Sequence, residues 1–443
     1  MKKIYCFLIL SLLVSGVSAQ QITFEEYDLP NGLHVILHQD KSTPIVIASV
    51  LYKVSPKDEA ENRTGFAHFF EHLLFEETKN IPRGKWFNIV TSRGGQNNAY
   101  TSGNYTYYYE KLPANELDLA LWMESERMLH PIIGEKGVKT QNEVVKEEKR
   151  LRYDNQPYGK WISSVYENLF TQHPYQHSPI GKMEHLDAAT LEEFLAFNKK
   201  FYNPNNAVLT VAGSIDIAET KKKIADYFGS IPKGEPIIRN YPKEPEIRET
   251  ISAKAYDANI QLPALLMAYK TPGENSRDSQ ILEMISSYLS RGKSSKLYKR
   301  MVDEEKTALS VGAYNFSDEL YSPFIFFSIP MGETSLEHLK KTIDEEIKLL
   351  QNNLIDENDY QKILNQFESA FVRDNLSVEN IANTLAHYYI IYGDTNLINT
   401  QIELYRSITR EEIQAVAQKY LNSNQRLELE YLPERQTENP KKS

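Results

Sequence analysis

The residues best suited to chemistry lie in one short segment, Thr64 to Phe75, which contains His68, Glu71 and His72. Apolar residues recur in it at the spacing of a helix that packs against a core. Histidines four residues apart project from one helix face, at the separation that two imidazoles need to bind one zinc ion. A carboxylate beside them can take a proton from a zinc-bound water. The segment therefore predicts a zinc site with ligands His68 and His72 and general base Glu71; a pair of hydrogen-bonded core histidines is the alternative.

A catalytic zinc ion needs a third protein ligand, which should be a carboxylate on another element. The segment Gln141 to Leu151 is predicted to be a helix with several candidates. At about 100° per residue, Val144, Val145 and the final leucine define its buried side, and Glu148 points closest to their mean direction. Glu147 lies almost a quarter-turn away. Helical geometry therefore favours Glu148 as the third ligand and leaves Glu147 or another residue as the alternative.

Composition excludes several other kinds of protein. The chain has 443 residues, of which 41% are hydrophobic and 25% are charged, as is typical of soluble globular proteins rather than disordered, collagenous or polytopic membrane proteins. A net charge of −10 argues against a nucleic-acid partner. Cys6 is the only cysteine, so disulfide scaffolds, thiolate zinc sites and cysteine nucleophiles are excluded. Any metal must therefore be held by histidines and carboxylates.

The first 19 residues have the pattern of a removable targeting signal. Two lysines precede an apolar run from Ile4 to Val14, and Val17-Ser18-Ala19 is a small-residue pattern that signal peptidase accepts. The apolar run is shorter than the ~20 residues needed to span a bilayer, although a retained anchor is the alternative. We therefore expect residues 1–19 to be a signal peptide cleaved before Gln20. The protein is then exported, periplasmic or secreted, with no membrane span after signal removal.

The remaining chain divides into two halves of similar design. A segment from Ile231 to Glu249 is rich in prolines and charges and is predicted to be an exposed linker. A capping pattern, a helix and an Asn-containing turn that begin at Thr190 recur from Thr409, 219 residues later. Strand and helix signals alternate in each half. We predict an α+β fold with two similar domains, 20–235 and 236–432, each an antiparallel-rich sheet covered by helices, followed by a disordered tail at 433–443.

Several motifs in the same order resemble those of the pitrilysin/insulinase family of zinc peptidases. The order His-x-x-Glu-His is the inverzincin signature. The other motifs are Gly94–Thr101, Val144–Glu148, His173–Tyr175, Phe201–Ala207 and Leu289–Tyr298. The resemblance covers nearly the whole chain after the signal and implies that the chain forms half of a clamshell. It also implies that His68, His72 and Glu148 bind one zinc ion and that Glu71 is the general base.

The family binds its peptide substrate by adding it to the exposed edge of a sheet. The resemblance implies that this edge lies around Asn98 and Ala99, whose backbone groups would pair with an extended peptide. A β-turn after Gly94 and Gly95 with ordinary polar residues is the alternative, because the residue types alone do not require a ligand.

Two departures from the family pattern affect the prediction. Family members often have a second glutamate seven residues before the carboxylate ligand, where this chain has Gln141, which can still hydrogen-bond beside the site and support the ligands. Active single-chain members also have an Arg and a Tyr in the second half that hold the substrate carbonyl. The aligned residues here are Val302 and Leu309, whose side chains cannot donate a hydrogen bond.

The resemblance therefore implies a division of labour between two chains. We expect an exported zinc endopeptidase that hydrolyses peptides or unfolded polypeptides. This chain is expected to be the zinc-bearing subunit of a heterodimer, whose partner belongs to the same family and carries the Arg/Tyr pair. The alternative is a non-catalytic structural or binding subunit of the same fold. The intact His-x-x-Glu-His motif and Glu148 argue against that alternative.

Overall fold

A computed structural model describes residues 21–434 of the chain. The predicted signal peptide and almost all of the predicted disordered tail therefore lie outside the described residues. Within residues 21–434, no helix is both long enough and apolar enough to cross a membrane.

The described residues form eleven strands, β1 to β11, and fourteen α-helices, α1 to α14. The strands are, in chain order, Glu25–Asp28, His34–Gln39, Ile45–Tyr52, Gln96–Thr101, Thr106–Pro113, Ala207–Gly213, Ile251–Asp257, Ala264–Pro272, Ala308–Asn315, Tyr321–Pro330 and Leu427–Pro433. The helices are Phe66–Leu73, Trp86–Ser92, Leu117–Leu129, Glu135–Lys149, Trp161–Leu169, Met183–Asp187, Leu191–Phe201, Ile217–Phe228, Arg277–Ser290, Leu336–Asn352, Glu357–Asp374, Val378–His387, Leu397–Arg406 and Arg410–Tyr420.

The strands form two mixed sheets with the same arrangement. The first has the order β1-β2-β6-β3-β5-β4, and the second has the order β7-β11-β8-β10-β9. Each sheet contains one parallel pair, β2 with β6 and β7 with β11, and its other pairs are antiparallel. Apart from the additional strand β1, the strands of one sheet thus correspond in order and direction to those of the other.

The repeat predicted from the sequence also appears in the helices. Helices α7 and α14 each begin with a capping box, formed by Thr190 with Glu193 and by Thr409 with Glu412. Each box satisfies backbone N–H groups that the first helical turn leaves without a partner. The prediction of two similar α+β domains with antiparallel-rich sheets covered by helices is confirmed. The ranges 20–235 and 236–432 stay predictions.

Each half contributes a helix to the other half's sheet. Helix α12 of the second half packs on the face of the first sheet turned away from α1, where Ile381 and Leu385 contact the strand residues Ile36 and Leu51. Helix α5 of the first half packs in the same way on the second sheet. Both faces of both sheets are thereby covered, which explains why β3 and β6 are apolar along almost their whole length.

The segment between the halves is less exposed than its composition predicts. Residues 231–249 form neither helix nor strand. Within them, Glu244 is buried and accepts hydrogen bonds from three consecutive backbone N–H groups after α5 and from Nζ of Lys270, at 2.8–2.9 Å. The Nε of Arg239 donates to Asp58 at 2.9 Å. The prolines prevent regular structure, whereas the charges attach the segment to both halves.

Candidate metal centre

Helix α1 carries His68, Glu71 and His72, and contacts at its start fix its place. The side chain of Glu59 accepts hydrogen bonds from the backbone N–H groups of Gly65 and Ala67, both at 2.7 Å. These are donors that a helix N-terminus leaves without a partner. Gly65 has φ of 95°, a conformation that favours glycine.

Aromatic packing holds the other side of α1. Phe66 and Phe69 stack on Phe194 of α7, with ring centroids 4.6 and 4.9 Å apart, and Phe70 contacts Phe197 of the same helix at 5.5 Å. The hydroxyl of Tyr108 on β5 donates to the carbonyl oxygen of Phe70 at 2.8 Å. The helix is therefore anchored in the core while its histidine face points towards α4.

The structure brings His68, His72 and Glu148 together. Oε2 of Glu148 lies 3.4 Å from Nε2 of His68 and 3.0 Å from Nε2 of His72. One ligand atom from each of the three residues lies within 4.8 Å of the other two. The side chain of Glu148 is 14% exposed against 56% for Glu147, so the alternative ligand points to solvent.

These three residues fit a zinc ion. Nε2 of His72 and Oε2 of Glu148 are buried, and neither has a hydrogen-bond partner among the described residues. Burial would raise the pKa of Glu148, but the two imidazoles outweigh this effect and lower that pKa well below its usual range. The carboxylate is thus ionised and faces two nitrogens. Two imidazoles and one carboxylate are a usual ligand set for catalytic zinc.

The helical-wheel reasoning that favoured Glu148 was partly wrong. Val145 is buried as predicted, but Val144 and Leu151 are exposed. Helix α4 packs along a narrow stripe that leaves Val144 outside the contact, and Leu151 lies in the turn that follows the end of the helix. The mean direction still pointed towards Glu148 because Val145 and Glu148 are three residues apart and share a helix face.

Glu71, the predicted general base, is held by a residue that the sequence reasoning did not select. Its Oε2 accepts a hydrogen bond of 2.7 Å from Oγ1 of Thr101, the last residue of β4. Thr101 belongs to the Gly94–Thr101 motif, but only a structure shows that its hydroxyl reaches α1.

The predicted substrate residues lie on the outermost strand of the first sheet. Asn98 pairs with Tyr109 and Ala99 pairs with Tyr108 on β5. Strand β4 has no second neighbour among the strands of residues 21–434, so its other edge is free. Asn98 is exposed and Ala99 is buried. The edge that the sequence predicted for a peptide is therefore open, and the strand that forms it also carries Thr101.

Two further polar residues of this region have different partners. Gln141, expected to support the ligands, instead donates through Nε2 to Oε1 of Glu76 at 2.5 Å, and Glu76 also pairs with Arg83. The second residue was not selected from the sequence: Nη1 of Arg152 lies 2.8 Å from Oε1 of Glu148. Its spacing of four residues from Glu148 was the available signal, because such pairs meet on a helix surface.

The second half supplies no side-chain donor at the two aligned positions. Val302 packs against the core of the second half, and Leu309 is 47% exposed on β9, one of the two edge strands of the second sheet. Their side chains have no polar atoms.

Comparisons with known proteins agree with the geometry. A sequence profile described as "Insulinase (Peptidase family M16)" matches residues 34–181, and one described as "Peptidase M16 inactive domain" matches residues 188–367. The zinc protease PqqE of Helicobacter pylori is 28% identical over 404 residues, which is 90% of this chain and 91% of that protein. An uncharacterized zinc protease of Rickettsia felis is 24% identical over 402 residues, 89% of this chain and 94% of the relative.

Solved structures show the same fold. The crystal structure of a protease from Helicobacter pylori matches with a TM-score of 0.88 and 28% identity, over 93% of this chain and 99% of that chain. The first half of the periplasmic protease PqqL from Escherichia coli matches with a TM-score of 0.76 and 18% identity, over 94% of this chain and 93% of that one. In the full PqqL chain the match covers 47% of the length, with a TM-score of 0.75.

Proposed function

The chain belongs to peptidase family M16, the insulinase family, and from this premise we propose that it is a zinc-dependent endopeptidase acting on peptides or unfolded polypeptides. One observation carries the proposal. His68, His72 and Glu148 direct nitrogen and oxygen atoms at one another, and Glu71 lies on the same helix as the two histidines. Such a set is costly to bury without a cation and is well suited to hold one.

The residues take different parts in hydrolysis. His68, His72 and Glu148 hold the ion. When bound, zinc polarises the scissile carbonyl and makes its water more acidic. Glu71 would take a proton from the attacking water and later deliver it to the leaving amine. Thr101 keeps the carboxylate of Glu71 in place.

Strand β4 supplies the binding surface for the substrate. Its free edge, at Asn98 and Ala99, would pair with an extended peptide through backbone hydrogen bonds. Backbone pairing accepts many sequences but requires an extended chain. It therefore suits peptides and unfolded polypeptides rather than folded proteins.

The complete enzyme is proposed to be a heterodimer. Val302 and Leu309 replace the donors that the family uses on the substrate carbonyl, and losing such donors typically costs about 100-fold or more in rate. The match to less than half of the longer PqqL chain supports the idea that one such fold is half of a larger arrangement. A partner of the same family with the Arg/Tyr pair would supply the missing donors.

Export is proposed from two observations. Residues 1–19 have the pattern of a signal peptide, and one structural neighbour is described as periplasmic. The mature protein would then work in the periplasm or outside the cell. It contains no cysteine after the signal, so its stability there does not depend on disulfides.

A non-catalytic subunit is the second candidate function. The match of residues 188–367 to an inactive-domain profile and the apolar Val302 and Leu309 favour it. The complete zinc ligand set and the ordered Glu71 favour an enzyme, because a purely structural subunit has no need to bury them.

One experiment separates the two candidates. The mature chain from Gln20 is purified and its zinc content is measured. A mixture of unstructured peptides is then incubated with the chain alone and with a family member that carries the Arg/Tyr pair. The same assay uses Glu71→Gln and, as a control, Glu143→Gln, whose side chain is exposed on α4.

The enzyme proposal predicts about one zinc per chain and cleavage that Glu71→Gln abolishes and Glu143→Gln leaves unchanged. It predicts much faster cleavage with the partner than without it. Bound zinc without Glu71-dependent cleavage under any pairing would favour the non-catalytic subunit. Full activity of the chain alone would contradict the heterodimer but not the enzyme.

A further inference from the structure

The two carboxylate oxygens of Glu148 have different neighbours. Oε2 faces the imidazoles of His68 and His72. Oε1 lies 2.8 Å from Nη1 of Arg152, one turn further along the chain. We propose that Arg152 is a positioning residue that fixes the metal-binding carboxylate. This inference rests on the proposed function, because it assigns Arg152 a part in holding the zinc ion.

Among the described residues, Arg152 is the basic side chain that reaches Glu148 at this end of α4. The neighbouring basic side chains are engaged elsewhere: Lys149 and Lys160 both pair with Asp154 at 2.9 Å. Arg150 pairs with the exposed Glu147 at 3.1 Å. Three basic residues therefore surround this end of the helix without reaching Glu148, whereas Arg152 reaches it.

The local backbone makes this contact possible. Helix α4 ends at Lys149, and residues Arg150–Asp154 continue as one wider, π-type turn. Arg152 lies within this turn, and from there its guanidinium group reaches Oε1 of Glu148. Wider turns of this kind occur frequently at functional sites.

A ligating carboxylate benefits from such a contact. A glutamate side chain has three rotatable bonds, and ordering it in one place costs side-chain entropy. When one oxygen binds the metal, an ion pair at the other oxygen restricts the directions that the carboxylate can take. Partners of metal ligands are typically worth about 10- to 100-fold in metal affinity.

The charge of Arg152 acts in the opposite direction. A guanidinium group near a zinc site repels the ion, so simple electrostatics predicts that removing the arginine strengthens zinc binding. The side chain is 73% exposed, so water and salt screen this repulsion. Positioning and repulsion therefore predict opposite changes in zinc affinity, and a measurement can separate them.

The test measures the zinc dissociation constant of the full mature chain by competition with a chromophoric chelator. The variants are Arg152→Met, which keeps the length without donor or charge, and Arg152→Lys, which restores a charged donor. We expect Arg152→Met to bind zinc roughly tenfold more weakly than the wild type and Arg152→Lys to recover most of the affinity. The matched control, Arg150→Met, removes a neighbouring cation and should change the affinity by less than about twofold.

Unchanged or tighter zinc binding by Arg152→Met would overturn the proposal. Equal weakening in Arg150→Met would also overturn it, because the effect would then not depend on contact with Glu148. Thermal unfolding of the metal-free proteins checks that every variant folds. A wild-type chain that binds no zinc would instead contradict the proposed function itself, so the two failures are distinguishable.

Discussion

Replacing Thr101 with valine removes one hydroxyl from β4 and preserves the β-branched shape of the side chain. That hydroxyl donates to Oε2 of Glu71 at 2.7 Å. The strand that carries it is the edge proposed to pair with the peptide at Asn98 and Ala99. One strand therefore contacts both the proposed substrate and the proposed general base, and Thr101→Val breaks only the second connection.

The size of the effect follows from the kind of hydrogen bond. A hydrogen bond to a charged group is worth about 1.5–3 kcal/mol, and each 1.4 kcal/mol in the barrier changes the rate about tenfold. If the bond serves to keep Glu71 in its productive place, we expect kcat to fall roughly 10- to 100-fold. KM should change little, because backbone groups rather than this hydroxyl pair with the peptide.

The assay follows cleavage of a fluorogenic peptide by the proposed heterodimer, with zinc content and thermal unfolding measured in parallel. Thr101→Ser restores the hydroxyl and should recover most of kcat. Thr91→Val is the control, because Thr91 is exposed on α2 and donates to a carbonyl of its own helix. A Thr101→Val enzyme with normal zinc content and kcat within about twofold of the wild type would refute the positioning role.

Three further predictions concern zinc, pH and the start of α1. Glu148→Gln should weaken zinc binding at least about 100-fold in chelator competition, whereas Glu147→Gln should not weaken it, since only Glu148 faces the imidazoles. Burial raises the pKa of Asp318 from 3.8 to about 7. The folded chain therefore keeps this proton up to higher pH than the unfolded chain, so the free energy of unfolding falls as pH rises from about 4 towards 7. Between pH 5 and pH 8, the free energy of unfolding measured with urea should fall by about 3 kcal/mol more in the wild type than in Asp318→Asn. Glu59→Ala leaves two helix N–H groups without their acceptor and should lower the free energy of unfolding by about 2 kcal/mol, measured by urea titration; an unchanged midpoint would contradict the capping role.

The parts of the site that depend on local spacing were predictable from the sequence. His68, Glu71 and His72 lie within five residues on one helix, so helical geometry alone places the histidines on the same face. The repeat of 219 residues likewise predicted two similar domains, because capping boxes and turns are local patterns.

The parts that depend on contacts between distant segments were not predictable in the same way. The hydrogen bond from Thr101 to Glu71 joins residues 30 apart in the chain. The linker was expected to be exposed because charged residues and prolines usually lie at the surface. Glu244 is nevertheless buried and accepts hydrogen bonds from three backbone N–H groups. The helical wheel failed at Val144 because it assumes that apolar residues are covered.

The internal repeat gives a comparison within the chain that bears on the metal. Counting 219 residues onward from His68, His72 and Glu148 leads to Ser287 on α9, Arg291 directly after it and Phe367 on α11. Phe367 is buried, and Oγ of Ser287 donates to Oε1 of the neighbouring Gln366 at 3.0 Å.

The second half therefore has neither an imidazole nor a carboxylate at the positions that correspond to the three proposed metal ligands. The fold itself does not require a charged cluster between these two helices. In the first half the same scaffold directs Nε2 of His72 and Oε2 of Glu148 at each other without a hydrogen bond. Because unsatisfied buried polar atoms are costly and the described residues of the second half form no such His/His/Glu cluster, the arrangement in the first half supports the proposal that it holds a cation.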